Sequence, residues 1–230
     1  MKQNKLAVAV GAAVLGLSSV AQAELSANIG ATSNYVWRGV TQTDDQAAIS
    51  GGLDYGHESG FYVGTWASNV DFGDDATAEV DLYGGFSGSA GDFGYDVGVF
   101  YYMYPGENYD FAELGASLSY GPVTGGINYN IWSDTDDDAA SNDLFIEGDI
   151  YYYLSAGFEV APTWTVGGTI GYFDFDDDGA LGVDTSYKHI QIDIGKSAGD
   201  FGDFTFSVSK ADKESGDDDA KVFVSWAKSF

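Results

Sequence analysis

Beyond its N-terminal segment, the chain alternates apolar and polar side chains with a period of two. In one stretch Ala78, Val80, Leu82, Gly84 and Phe86 form an apolar face, while Glu79, Asp81, Tyr83, Gly85 and Ser87 form a polar one. The same split recurs in Leu144, Ile146, Gly148, Ile150, Tyr152 and Leu154 against Glu147, Asp149 and Tyr151. It recurs again in Val123, Ile127, Tyr129 and Ile131 against Thr124, Asn128 and Asn130, and in Ile190, Ile192 and Ile194 against His189, Gln191 and Asp193. A period of two marks strands with two unlike faces. Twelve such segments run along the chain, each close to the roughly 9–11 residues that a tilted strand needs to cross a bilayer. Residues 61–70 do not declare which face is which. The pattern predicts an all-β fold, an antiparallel transmembrane β-barrel of about 12 strands.

Connector lengths separate a membrane barrel from a soluble sandwich, which also alternates. The even-numbered connectors are tight: His57-Glu58-Ser59-Gly60, Gly121-Pro122, and two copies of Ser-Ala-Gly-Asp-Phe-Gly at residues 89–94 and 197–202. The odd-numbered ones are longer and rich in Asp, as at residues 133–142, 174–185 and 211–219. Short periplasmic turns alternating with longer outer loops are expected of an outer-membrane barrel. Aromatic residues fall in two groups, Tyr35, Trp37, Tyr101, Tyr109 and Tyr172 toward the outer strand ends and Tyr55, Phe86, Tyr95, Tyr120, Trp164, Phe204 and Phe230 toward the inner ends. These read as two interfacial girdles.

The N-terminus supplies the route. Lys2 and Lys5 precede an apolar run over residues 6–17 and then Ala21-Gln22-Ala23, which reads as a cleaved secretory signal peptide of residues 1–23 with the cut between Ala23 and Glu24. Residues 24–230 then form one barrel domain in a Gram-negative outer membrane, with both termini periplasmic. The final alternating strand ends in Trp226, Lys228 and Phe230, and its terminal Phe resembles the signal read by the barrel-assembly machinery. No Cys is present, so closure of the barrel has to replace disulfides as the source of stability.

Charge narrows the partners. The chain carries 36 acidic against 9 basic residues, two of the latter in the signal, so nucleic acid is excluded as a partner because phosphate binding needs the opposite sign. The acids on polar faces, Asp54, Glu79, Asp81, Asp96, Glu113, Glu147, Asp149 and Asp193, with Arg38 as basic counterpart, are expected to line the lumen. Fixed carboxylates in a narrow pore concentrate cations, which predicts passive, cation-preferring diffusion of small cationic or neutral solutes. If Arg38 instead bridges acids in a filled interior, the barrel is a non-conducting structural one. A third class, an outer-membrane lipid hydrolase, would need a His beside a nucleophile; His189 shares the polar phase, but no nucleophile motif accompanies it, and no enzyme is expected. Asp174, Asp176 and Asp178 with Gly179 reproduce half of a calcium loop, while Thr185 stands where the bidentate Glu belongs, so no cofactor is implied beyond weakly bound Ca²⁺ or Mg²⁺. Such acidic loops would also meet lipopolysaccharide phosphates through divalent ions, beside the ordinary lipid contacts of a barrel.

The stretch Ser33-Asn34-Tyr35-Val36-Trp37-Arg38-Gly39-Val40-Thr41-Gln42-Thr43, with Gly51-Gly52-Leu53-Asp54-Tyr55 and Gly60-Phe61-Tyr62-Val63-Gly64-Thr65-Trp66-Ala67-Ser68-Asn69-Val70, resembles the TorF-type porin family of proteobacteria, also described as Gcw_chp, a conserved family of unknown function. The resemblance implies an outer-membrane barrel with a porin role. It carries over no pore or catalytic residues.

Overall fold

The computed structural model describes residues 24–135, 144–176 and 185–230; the signal segment, and Asp178 of the calcium-like motif, lie outside them. In chain order the first seven strands are β1 (Glu24–Thr32), β2 (Val36–Trp37), β3 (Val40–Thr41), β4 (Ala48–Gly56), β5 (Phe61–Asn69), β6 (Ala78–Ala90) and β7 (Phe93–Met103). Then follow β8 (Phe111–Tyr120), β9 (Val123–Ser133), β10 (Ile150–Ala161), β11 (Trp164–Asp174), β12 (Tyr187–Ser197), β13 (Asp203–Ala211) and β14 (Lys221–Ser229). Among the described residues β2 and β3 pair only with each other, and the other twelve strands close into one antiparallel barrel. The seam is the β1–β14 ladder, extended by Phe230, whose N–H donates to the Ala27 carbonyl at 2.9 Å.

Connectors at one end of the barrel are two to five residues, at 57–60, 91–92, 121–122, 162–163 and 198–202, and those at the other end are seven to sixteen. We call these the turn end and the loop end. Both copies of the repeated hexapeptide lie at the turn end, as the alternation requires. They do not fold alike: the first makes a two-residue turn between β6 and β7, and the second a short 3₁₀ turn, Gly199–Phe201. Both use their Gly in the left-handed region, at φ 65° for Gly91 and 61° for Gly199.

Burial follows the alternation inside out. On β12, Tyr187, His189, Gln191 and Asp193 are buried inside, while Ile190, Ile192 and Ile194 are exposed. Leu53, Val63, Leu82, Val97, Leu114, Leu154, Phe206 and Val224 continue that exposed apolar surface around the barrel. A belt this extensive is far beyond the apolar patches of a soluble monomer and needs an apolar surrounding. In the ambiguous β5, Tyr62 and Ser68 are buried inside, whereas Phe61 and Val63 are exposed.

Two sequence readings change. Residues 144–149 do not extend β10: Phe145 and Gly148 adopt left-handed φ of 63° and 114°, which turns the chain before Ile150. Tyr35 and Trp37 do not join an outer girdle, because residues 34–43 fold into the barrel.

Several inward tyrosines lie flat over a glycine of the neighbouring strand, Tyr83 over Gly64 and Tyr153 over Gly126, where any Cβ would strike the ring. Gly125, beside it on β9, faces outward with ordinary contacts. Gly126→Val is therefore expected to displace Tyr153 and cost about 1–3 kcal/mol by overpacking, lowering the urea midpoint of the lipid-refolded protein, while Gly125→Val leaves it nearly unchanged. Equal midpoints for the two variants would contradict this packing.

Candidate functional site

The first long loop builds the centre of the site. Val36-Trp37 and Val40-Thr41 pair across a two-residue turn, Arg38-Gly39, with positive φ at both positions, 47° and 92°. This is the backbone that a tight hairpin demands, and it holds a non-glycine residue in a conformation that costs on the order of 1 kcal/mol or more. What offsets the cost is the destination of the side chain. Arg38 Nη1 and Nη2 each donate to a Glu113 carboxylate oxygen at 2.6 Å, both residues being at most 5 % exposed. The guanidinium also lies 4.1 Å from the centre of the Trp37 ring and 4.2 Å from that of Tyr151. Burial alone would push Arg38 down; the facing Glu113 carboxylate outweighs it and raises Arg38 above the ordinary guanidinium value, so the charge persists.

Glu113 is aimed by a bulge. The β8–β9 register slips between Ala112 and Glu113, pairing Glu113 with Asn130 and leaving Ile131 and Trp132 in succession on the outer surface. Tyr102 and Asn128 also donate to Glu113, at 3.3 and 3.1 Å. The hairpin has further anchors. Tyr35 and Tyr104 donate to the two oxygens of Glu79 at 2.7 and 2.8 Å, and burial followed by Glu79 holds both phenols well above the ordinary tyrosine value, so both remain donors. At the hairpin base, buried Lys221 bridges Asp45 at 2.9 Å and Asp217 at 2.6 Å.

Around the hairpin tip the loop end is filled. Trp37 contacts Tyr102, Phe111, Phe145 and Phe173 with ring centres 5.7–6.3 Å apart. Toward the turn end, on the β7–β10 side, the inward residues are small and polar and only half-buried: Asp96, Ser117, Thr124, Asn128 and Ser155. The inward face toward the turn end is thus polar there, and the loop end is closed over by the hairpin and its aromatic neighbours.

The acids expected inside are placed unevenly. Asp54 accepts from Tyr83 at 2.5 Å and from Asn28 at 3.2 Å; Asp96 accepts from Tyr62 at 3.0 Å; Asp193 accepts from Ser207 and Gln191 at 2.6 and 3.0 Å. Asp81 is buried with one carboxylate oxygen unpartnered. Of the residues expected to line the lumen, Arg38 and Glu113 form the one ion pair among the described residues. Glu147 departs from expectation: it is exposed on the turn that precedes β10, because the left-handed residues there end the extended path. Asp149 is buried at the rim, where it binds the N–H groups of Ile146 and Asp176, both at 2.9 Å, and burial pushes it up to about 6. His189 faces the lumen rather than lipid, 2.8 Å from the Tyr151 hydroxyl and stacked on that ring. Of the calcium-like motif, Asp174 ends β11 and Asp176 packs on Gly148; among the described residues no three His, Asp or Glu side chains make a metal-holding group. Trp226 donates its indole N–H to the Phe201 carbonyl at 2.6 Å, and Phe230 closes the seam.

The family model described as "Bacterial protein of unknown function (Gcw_chp)" matches residues 18–226. The chain belongs to the Gcw_chp family. No curated protein matches this Gcw_chp chain. Its barrel is similar to solved structures at very low identity. A KdgM porin superposes with a TM-score of 0.58 at 5% identity, over 89% of this chain and 98% of the other. The Acinetobacter baumannii outer membrane protein Omp33 gives 0.52 at 6% identity, over 91% and 99%. A NanC porin gives 0.51 at 11% identity, over 90% and 98%. At such identities the likeness is one of fold.

Removing one member of a buried ion pair strands the other charge, at a cost of about 3–5 kcal/mol. Arg38→Ala is expected to lower the urea midpoint and shift tryptophan emission to longer wavelength as Trp37 reaches water. Arg38→Ala with Glu113→Gln should recover part of the loss. Unchanged emission from Arg38→Ala would mean that the hairpin is held by its other anchors alone.

Proposed function

We propose that this Gcw_chp protein is an outer-membrane porin for passive passage of small solutes, constricted at the loop end by the β2–β3 hairpin. The observation that carries the reading is a closed barrel with an apolar exterior and a polar, acid-rich interior. A plugged structural barrel also has a polar interior, and the loop end here is filled around the Arg38–Glu113 pair, so conductance is what separates the two readings. The porin titles of several barrels of this fold, one of them a KdgM porin in complex with disordered oligogalacturonate, support the same class. In this reading residues 1–23 direct export, Trp226 and Phe230 serve assembly, the turn end and both termini face the periplasm, and the loop end faces outward among lipopolysaccharide.

Cation preference follows from the balance of fixed charge. Asp54, Glu79, Asp81, Asp96, Glu113 and Asp193 project inward, against Arg38 and Lys221, both already paired with carboxylates. Each of these carboxylates that is ionised leaves the interior negative, and a negative interior attracts cations into a low-dielectric-walled path. No step of bond making is assigned to any residue. His189 is paired with Tyr151 and covered by Gly39 of the hairpin, a setting that supports packing rather than hydrolysis.

The test is single-channel recording of refolded protein in a planar bilayer under a salt gradient. Wild type is expected to show small discrete conductance with a cation-signed reversal potential. A variant with residues 36–41 replaced by Gly and Ser should conduct several-fold more. Conductance from the variant alone would identify a plugged barrel, and silence from both folded proteins would refute the porin reading.

A further inference from the structure

Positive charge on the barrel exterior is confined to one face. Beyond the N-terminal segment the chain has six lysines and one arginine, and all six lysines lie between residues 188 and 228, on or beside three adjacent strands, β12, β13 and β14. Lys221 points inward and is buried; Lys188, Lys196, Lys210 and Lys228 share the outward phase. On the exterior of β1 and of β4 to β11 there is no lysine or arginine among the described residues.

Their heights are as specific as their face. Lys188 and Lys196 bracket Ile190, Ile192 and Ile194 on β12, about 26 Å apart along the strand, which at the roughly 35–45° tilt of such strands covers about 20 Å of the roughly 25 Å apolar band of outer-membrane barrels. Lys210 ends the exposed run Phe204, Phe206, Val208 on β13, and Lys228 follows Val222, Val224 and Trp226 on β14. Lys210 stands opposite Ile190, which makes Lys188 and Lys210 diagonal neighbours about 7–8 Å apart. That gap suits one phosphate group. At the turn end, Lys196 lies 4.9 Å from the Trp164 ring and Lys228 5.0 Å from that of Phe230, which holds both amines at interface depth.

In a chain with 36 acids, carboxylate partners for these lysines would be the ordinary outcome. Among the described residues none of the four does so. Lys213, Lys221 and Arg38 are ion-paired, whereas Lys210 donates to the Asp218 backbone carbonyl at 2.9 Å and Lys188 lies 5.8 Å from the Tyr172 ring. An amine at headgroup depth without a carboxylate partner is set to receive an external anion.

We infer that the β12–β14 face docks a phosphate-bearing acidic lipid, its headgroup held between Lys188 and Lys210 and its acyl chains laid along Ile190, Ile192, Ile194, Phe206 and Val208, while Lys196 and Lys228, on either side of β13, attract acidic headgroups at the opposite boundary. The inference rests on the membrane-barrel reading. It does not require conduction.

Native mass spectrometry of delipidated, refolded protein titrated with phosphatidylglycerol or with phosphatidylcholine of the same chains tests it. Phosphatidylglycerol adducts should be favoured by about tenfold, each lysine near the surface contributing a comparable share. The preference should fall sharply in Lys188→Gln/Lys210→Gln, survive in Lys188→Arg/Lys210→Arg, and vanish when all four lysines are replaced by Gln. Equal adduct formation by the two lipids, or a preference that survives the fourfold variant, would overturn the inference. Insertion into neutral phosphatidylcholine vesicles, followed by heat-modifiable mobility, separates the two levels: a barrel that inserts without lipid preference refutes the lipid site alone, and a chain that fails to insert refutes the membrane reading beneath it.

Discussion

A chain that turns its apolar side chains outward cannot leave backbone groups unpaired on that side, because no water reaches them there. The β1–β14 ladder meets this requirement. Its pairing, completed by the exchange between Ala27 and Phe230 at 3.3 and 2.9 Å, turns an open sheet with two edges into a surface with none. Twelve strands, an even number, return the chain to the end at which it started, so the two terminal strands run antiparallel and can close. Closure in turn fixes the phase of every strand, and with it which carboxylates face inward.

Inside, the opposite problem arises. Buried carboxylates need donors, and a chain with 36 acids and 9 bases has few cations to give. Tyrosine fills the gap. Glu79 is satisfied by Tyr35 and Tyr104, Asp54 by Tyr83 and Asn28, and Asp96 by Tyr62. A phenol donates without adding positive charge, so it can satisfy a buried carboxylate where the chain has no cation to offer. Inward glycines on adjacent strands leave room for those rings to lie against the wall. The one guanidinium is spent where charge must be cancelled, at the hairpin tip.

Much of this was legible in the alternation. Strand number, turn and loop ends, and the inward phase of Asp54, Glu79, Asp81, Asp96, Glu113 and Asp193 all follow from a period of two, because closure enforces that period on every strand. The misreadings occur where the chain leaves the sheet. Residues 144–149 alternate convincingly, yet the left-handed turns at Phe145 and Gly148 break the path, and Glu147 falls outside the lumen. Periodicity is blind to φ. Trp37 looked like a girdle residue because sequence places it just past a strand end, and only three-dimensional closure reveals that the loop has a cavity to enter. A local signal was present: Val36-Trp37 and Val40-Thr41 flank a two-residue turn containing Gly39, which is a small hairpin by itself. Its inward course is set by partners distant in sequence, Glu113, Tyr151 and Phe173, and no local pattern names them.

The hairpin also explains why Arg38 rather than Lys suits its position. A lysine ammonium could reach Glu113 but would present a compact, strongly hydrated charge to a site walled by Trp37, Tyr151 and Phe173. The planar guanidinium is more weakly hydrated, meets both carboxylate oxygens at once, and offers its faces to the rings on either side. One side chain thereby joins the acidic wall of β8 to the aromatic walls of β10 and β11. With that link in place the hairpin, which connects β1 to β4, is tied across the barrel interior to β8, β10 and β11.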